Sequence, residues 1–152
     1  MIKAAFCDDD LSVLNELHVL MDNYRVERNQ EITYTAFHSP LELIAQIEKG
    51  MWFDILFLDV LMPGVNGIET AQEIREYDSA MKIIFLTSSA EYAVESYTVN
   101  AYFYQLKPIW PESFYRLMDS VLKECAQEQR RSLILRCKSG ITQISLDRLM
   151  YC

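Results

Sequence analysis

Long apolar runs are missing from this 152-residue chain. Its densest stretch, Ile55 to Met62, is broken at Asp59 and falls well short of the ~18 residues a membrane helix needs. The N-terminus lacks the basic segment and following apolar run that direct secretion. The four cysteines, Cys7, Cys125, Cys137 and Cys152, are widely spaced, whereas zinc ligands come in short-spaced pairs. Reduced thiols in a cytoplasmic protein are the expectation. His18 and His38 are isolated from each other and from any nucleophile-like motif, and both read as surface residues. Repeats and low-complexity tracts are absent. With 51% apolar and 24% charged residues the chain has the composition of a globular protein, neither disordered nor fibrous. The length suits one domain with an ordinary hydrophobic core, plus a piece of a second.

Positive charge is scarce over most of the chain. The net charge is −8. Residues 130–152 hold Arg130, Arg131, Arg136, Lys138 and Arg148 against Asp147 alone, so the 129 residues before them carry −12. That asymmetry predicts two parts with different partners. The acidic part is unsuited to nucleic acid, whose affinity comes from neutralised phosphates.

What is present is an alternation of short apolar runs and amphipathic segments. Ile2 to Cys7 reads as a buried strand, and Leu14, Leu17, Leu20, Met21 and Tyr24 recur at a helical period. Glu31 to Phe37 has strand composition. Ser39-Pro40-Leu41-Glu42 then combines a capping serine, a first-turn proline and a glutamate three after the cap, and Gly50 stops that helix. Asp54 to Leu58 is continuously apolar after its first residue, as in a strand covered on both faces. Pro63-Gly64 and Asn66-Gly67 make a loop before a helix from Ile68 to Tyr77. Lys82 to Leu86 is a fourth strand, Glu91 to Tyr97 a short helix, Tyr102 to Leu106 a fifth strand, and Pro111 to about Glu128 a long helix. Successive βα units predict an α/β fold, a doubly wound parallel sheet whose ligands bind at the carboxyl ends of the strands. Beyond Gln129, Ser132 to Cys137 and Ile141 to Ser145 read as a short β-hairpin turned at Lys138-Ser139-Gly140.

The chemistry-bearing residues fall on one rim of that sheet. Asp8, Asp9 and Asp10 follow the first strand, Asp59 the third, Thr87 and Ser88 the fourth, and Lys107 the fifth. Singly, each reads as a helix cap or a surface residue. Together they form a cluster of carboxylates that repel one another and need a cation. Hard oxygen ligands beside an amine and a hydroxyl suit Mg²⁺ and a phosphoryl group.

The acidic pair Asp8-Asp9, the run Leu58-Asp59-Val60-Leu61-Met62-Pro63-Gly64, Leu86-Thr87-Ser88 and Leu106-Lys107-Pro108 together resemble the receiver domain of bacterial two-component response regulators. Ala93 to Tyr97 and Ala101 to Ile109 are similar to the branch that carries a C-terminal LytTR DNA-binding domain. The resemblance implies a flavodoxin-like five-stranded sheet of order 2-1-3-4-5. It implies a receiver at 1–126, a linker at 127–131 and, at 132–152, the truncated start of a LytTR domain. Asp59 would be the phosphoacceptor. Asp9, Asp59 and the Leu61 carbonyl would hold Mg²⁺, with Asp8 acting indirectly. Lys107 would pair with Asp59 and then with the phosphoryl group, Thr87 and Tyr104 would be the switch pair, Ser88 would tune access, and Pro108 would follow a cis bond. The implied partners are a sensor histidine kinase and, on phosphorylation, a second copy of the chain. The self-association surface would comprise the helix at 91–97, the fifth strand and the helix from 111. DNA would be bound only through a complete LytTR domain. A stand-alone receiver acting through protein contacts is the other reading. A haloacid-dehalogenase-like phosphatase would need a second carboxylate two residues after Asp59, where Leu61 stands, so no enzyme beyond self-catalysed phosphotransfer is expected.

Overall fold

Ile55–Leu58 shows no polar alternation, so the strand it forms must be covered on both faces. In the computed structural model, which describes residues 1–140 and the side chains of residues 1–135, that segment is the middle strand of a five-stranded sheet. The strands are β1 (Ile2–Cys7), β2 (Ile32–Phe37), β3 (Ile55–Leu58), β4 (Lys82–Thr87) and β5 (Phe103–Leu106). Their order is β2-β1-β3-β4-β5, with every pairing parallel. The expected flavodoxin-like order is therefore present. Chain direction across the sheet reverses between β1 and β3, so the crevice of the topological switch opens beyond the ends of those two strands.

Helices α1 (Leu11–Arg28), α2 (Pro40–Glu48), α3 (Gly67–Tyr77) and α4 (Pro111–Gly140) complete the fold. Each of the first three starts where a polar side chain takes an otherwise unpaired N–H: Asp10 from Ser12 at 2.9 Å, Ser39 from Leu41 at 3.2 Å, and Asn66 from Ile68 at 2.7 Å. Glu42 does not reach back to its cap but faces His38 Nδ1 at 3.5 Å. One side of the sheet packs Ala5, Leu56, Leu58, Ile83 and Phe85 against Leu43, Ile47, Ile68 and Ile74 of α2 and α3. On the other side Phe6 meets Phe57 edge-on, Phe57 stacks on Phe114 at 5.7 Å, and Tyr24 of α1 stands edge-on to Phe114.

The β2 edge carries a polar cover. Arg25 Nη1 donates to the Ile32 carbonyl at 2.8 Å, and Tyr34 Oη donates to Asp22 at 3.0 Å and also meets His18 Nδ1. His18 Nε2 in turn lies 3.1 Å from Asp22.

The chain divides into two compact units, Met1–Tyr115 and a second beginning at Arg116. The second is a continuation of α4, along which Met118, Val121 and Cys125 are buried and Arg131 stands 3.7 Å from Glu124. Among the described residues no helix is long and apolar enough to cross a membrane.

Two expectations need correction. The helix expected at 91–97 is a run of turns followed by a 3-10 turn at Glu95–Val99. Ser96 Oγ donates to the Ala93 carbonyl and Thr98 Oγ1 to the Glu95 carbonyl, both at 2.6 Å, so hydroxyls compete for acceptors a longer helix would use. The first strand of the expected hairpin, Ser132–Cys137, instead belongs to α4, which runs to Gly140. No proline or glycine interrupts residues 112–139, and Leu, Gln, Glu and Arg there are good helix formers, whereas a lone hairpin is marginal in water. The second strand, Ile141 to Ser145, lies outside the described residues.

Gly67 starts α3 under tight constraint: a Cβ there would lie 2.3 Å from the Asp59 carbonyl oxygen and 2.7 Å from Val60 Cα. Both obstacles are backbone, so neither yields by a rotamer change. Gly67→Ala is expected to lower the unfolding free energy by about 1–3 kcal/mol, read as a lower urea midpoint with unchanged slope. An unchanged midpoint would show that the loop after Asp59 can shift at no cost.

Candidate metal and phosphoryl site

In a parallel sheet all carboxyl ends share one edge, so residues just past β1, β3, β4 and β5 converge although 99 positions separate Asp8 from Lys107. Asp8 and Asp59 are buried and Asp9 is exposed. Lys107 Nζ lies 2.8 Å from Asp8 Oδ2 and 3.2 Å from Asp59 Oδ2. The remaining oxygens take main-chain donors: Asp8 Oδ1 accepts from Asp10 N–H at 2.9 Å, and Asp59 Oδ1 from Leu61 N–H at 3.1 Å. The Lys107–Pro108 peptide bond is cis.

The Lys107 ammonium contacts two of the three clustered carboxylates. Burial raises the Asp8 carboxyl above its usual range despite its hydrogen bond to Lys107. Burial works against the charge on Lys107, but the bonds and charges of Asp8 and Asp59 outweigh it, and its ammonium is held above the usual lysine value. Cys7, just before the cluster, is pushed up to about 12, first by burial and then by Asp8 and Asp59. It is a thiol without nucleophilic character.

The donor set fits a hard divalent cation. Oxygens of Asp8, Asp9 and Asp59 lie within 4.8 Å of one another, and Asp9 opens the group to solvent. A small cation that keeps several of its waters needs few protein ligands, and an unbalanced carboxylate cluster supplies them.

Thr87 is fully buried at the end of β4, and its Oγ1 accepts from Ser89 N–H at 3.4 Å. Tyr104 on β5 is half-buried, its ring 6.0 Å from Phe85, and its hydroxyl donates to the Ser89 carbonyl at 2.5 Å. Thr87 and Tyr104 thus hold the two sides of one peptide residue. Ser88 between them is exposed. Leu61 joins the site through its N–H, while its side chain is 44% exposed.

The structure brings Asp8, Asp9, Asp59 and Lys107 together, and joins Thr87 to Tyr104 through Ser89. Sequence reasoning gave Lys107 to Asp59 and missed its shorter contact with Asp8. It also missed Ser89, which acts through its main chain, and the close packing of Gly67, for which Asn66-Gly67 was the available signal.

The sequence profile of the response regulator receiver domain matches residues 5–121. The chain is 38% identical over 80 residues to the sensory transduction protein LytT of Oceanobacillus iheyensis, a match covering 51% of this chain and 32% of that one. It is 26% identical over 135 residues to the transcriptional regulatory protein NatR of Bacillus subtilis, covering 89% and 56%. It thus spans between about a third and a little over half the length of these relatives. Among solved structures, the response regulatory domain of protein MrkE from Klebsiella pneumoniae superposes with a TM-score of 0.73 at 23% identity, covering 83% of this chain and 99% of that one, a likeness of fold.

Removing the one ammonium tests the balance of charge. Lys107→Met is expected to cost about 1–3 kcal/mol of stability in chelator, because two buried carboxylates lose their counter-charge. Added Mg²⁺ should recover part of that loss, since a cation bound only by the folded form stabilises it. A loss of equal size with and without Mg²⁺ would show that the carboxylates hold no cation.

Proposed function

The chain belongs to the response regulator receiver domains, the phosphorylated modules of two-component signal transduction, and on that footing we propose that Asp59 is its phosphoacceptor. The observation that carries this reading is the buried Asp59 carboxylate, held by Lys107 Nζ at 3.2 Å and by Leu61 N–H at 3.1 Å, beside two further carboxylates.

Asp59 attacks phosphorus through a carboxylate oxygen. The bond from phosphorus to the donor, a phosphohistidine of a sensor kinase, breaks, and the imidazole leaves with the electron pair. Asp9, Asp59 and the Leu61 carbonyl would hold Mg²⁺, with Asp8 acting indirectly, and the ion when bound would neutralise charge on the transferring oxygens. Lys107 gives up its bond to Asp59 for one to a phosphoryl oxygen, so that its charge is worth most where charge develops. Thr87 turns its hydroxyl from Ser89 toward the new phosphoryl group. The Ser89 main chain, released by Thr87, rearranges with the segment that follows as Tyr104 turns inward. Ser88, exposed at the entrance, tunes how water reaches the phosphoryl group.

The output is proposed to be self-association through the 91–99 segment and β5, where Val94, Tyr97 and Phe103 are exposed. The division proposed is a receiver at 1–126, a connection at 127–131 and, from 132, the opening of a LytTR DNA-binding domain. Longer relatives, one of them a transcriptional regulatory protein, support it.

Incubation with acetyl phosphate and Mg²⁺, followed by intact mass, should show one added phosphoryl group on the wild type and none on Asp59→Asn. A gain on both would assign the chemistry to another residue. The association reading predicts that beryllofluoride with Mg²⁺ raises the sedimentation coefficient of the wild type in a concentration-dependent way and leaves Asp59→Asn unchanged. Identical sedimentation of the two at every concentration would reject it.

A further inference from the structure

Arg75, in the last turns of α3, is half-buried, and its recorded hydrogen bonds all run to main-chain carbonyls. Nε donates to Val99 at 2.8 Å, Nη2 to Asn100 at 3.1 Å and Nη1 to Asp78 at 3.2 Å. Val99 ends the 3-10 turn, and Asn100 caps it with a left-handed φ of 53°. Carbonyls at the end of a helical turn lack partners within it, and a cation there is favourable. The planar guanidinium, with five donors in fixed directions, meets three such carbonyls where one ammonium could not.

The two ends of the 88–100 segment are therefore held differently. Its start is held by Thr87 and Tyr104 through Ser89, the groups that rearrange in the proposed phosphorylation. Its end is held by α3, whose own first residue, Gly67, donates to the Val60 carbonyl at 2.8 Å and packs on the Asp59 backbone. None of the three Arg75 bonds involves a residue of the carboxylate cluster.

We propose that Arg75 is a positioning residue that pins the end of the Glu95–Val99 turn to α3 and so confines the switch's movement to the residues before Val99. This rests on the phosphoacceptor reading only for what sets the movement off. The pin itself is a property of the unmodified chain. With it, the segment swings about a fixed end and presents Val94 and Tyr97 in one new arrangement. Without it, the whole segment loosens.

Hydrogen exchange separates the two ends. Ser96 N–H bonded to Tyr92 and Tyr97 N–H bonded to Val94 report the moving part, Asn100 N–H to Tyr97 and Ala101 N–H to Ser96 report its junction with the pin, and Tyr102 N–H to Ile83 reports the part beyond it. In the unmodified protein Arg75→Gln should speed exchange at Asn100 and Ala101 by about tenfold or more, the loss expected for bonds to a charged donor. Amides of β1 should stay as slow as in the wild type, which distinguishes a local release from general destabilisation. Arg75→Lys, which keeps the charge and most of the stem, should fall between the two and serves if the glutamine variant folds poorly. With beryllofluoride and Mg²⁺, wild-type changes should stop before Tyr102, while those of Arg75→Gln should run on through Tyr102. Unchanged exchange at Asn100 and Ala101 in both unmodified variants would overturn the pin, as would wild-type changes that extend through Tyr102. A wild type that responds to beryllofluoride nowhere would instead refute the phosphoacceptor reading, and the unmodified variants would then decide the pin by themselves.

Discussion

The shared contact of Lys107 with Asp8 and Asp59 is the constraint on which the site depends. Two buried carboxylates at the ends of adjacent strands repel each other, and the Lys107 ammonium just past β5 offsets that repulsion. Its reach requires β5 to sit in the same sheet and in register, with Thr87 opposite Leu106 and the Lys107 N–H bonded to the Thr87 carbonyl at 2.8 Å. The balance is incomplete, since Asp9 adds a third carboxylate. The site is short of positive charge, and that shortage suits it to a divalent cation.

Much of this was legible in the sequence because burial on both faces leaves a plain record. Ile2 to Cys7 and Ile55 to Leu58 read as strands because each is a short, mostly apolar run bounded by polar or turn-forming residues, and the polar residues just beyond them had to share an edge once the strands were parallel. What escaped were interactions carried by the main chain. Ser89 matters through its N–H and carbonyl, which every residue has, and Arg75 takes carbonyls 24 and 25 positions away with no local pattern to mark them. The 91–99 segment misled for a related reason, as its apolar spacing suits a helix while Ser96 and Thr98 spend their hydroxyls on its carbonyls. Residues 132–137 misled through composition, because Leu-Ile-Leu serves a strand or a helix equally and the uninterrupted helix formers before it extend α4.

Gly67 and Arg75 make α3 more than a connector. Its first residue is fixed against the Asp59 backbone, and its last turn is fixed to the end of the 3-10 turn. The helix thus spans from the Asp59 backbone to the end of the 3-10 turn. In the proposed switch a change would travel through Ser89, while α3 supplies the stationary frame against which it is measured.

The polar cover on β2 has a consequence for how such molecules meet. An edge strand offers unpaired main-chain groups to any passing strand, and here Arg25 occupies one of its carbonyls while Asp22, Tyr34 and His18 form a charged rim beside it. The opposite edge, β5, is only four residues long. Neither border invites a sixth strand. A contact at either border would therefore be made by side chains, a reversible mode, and not by extending a shared sheet, which would tend toward fibres.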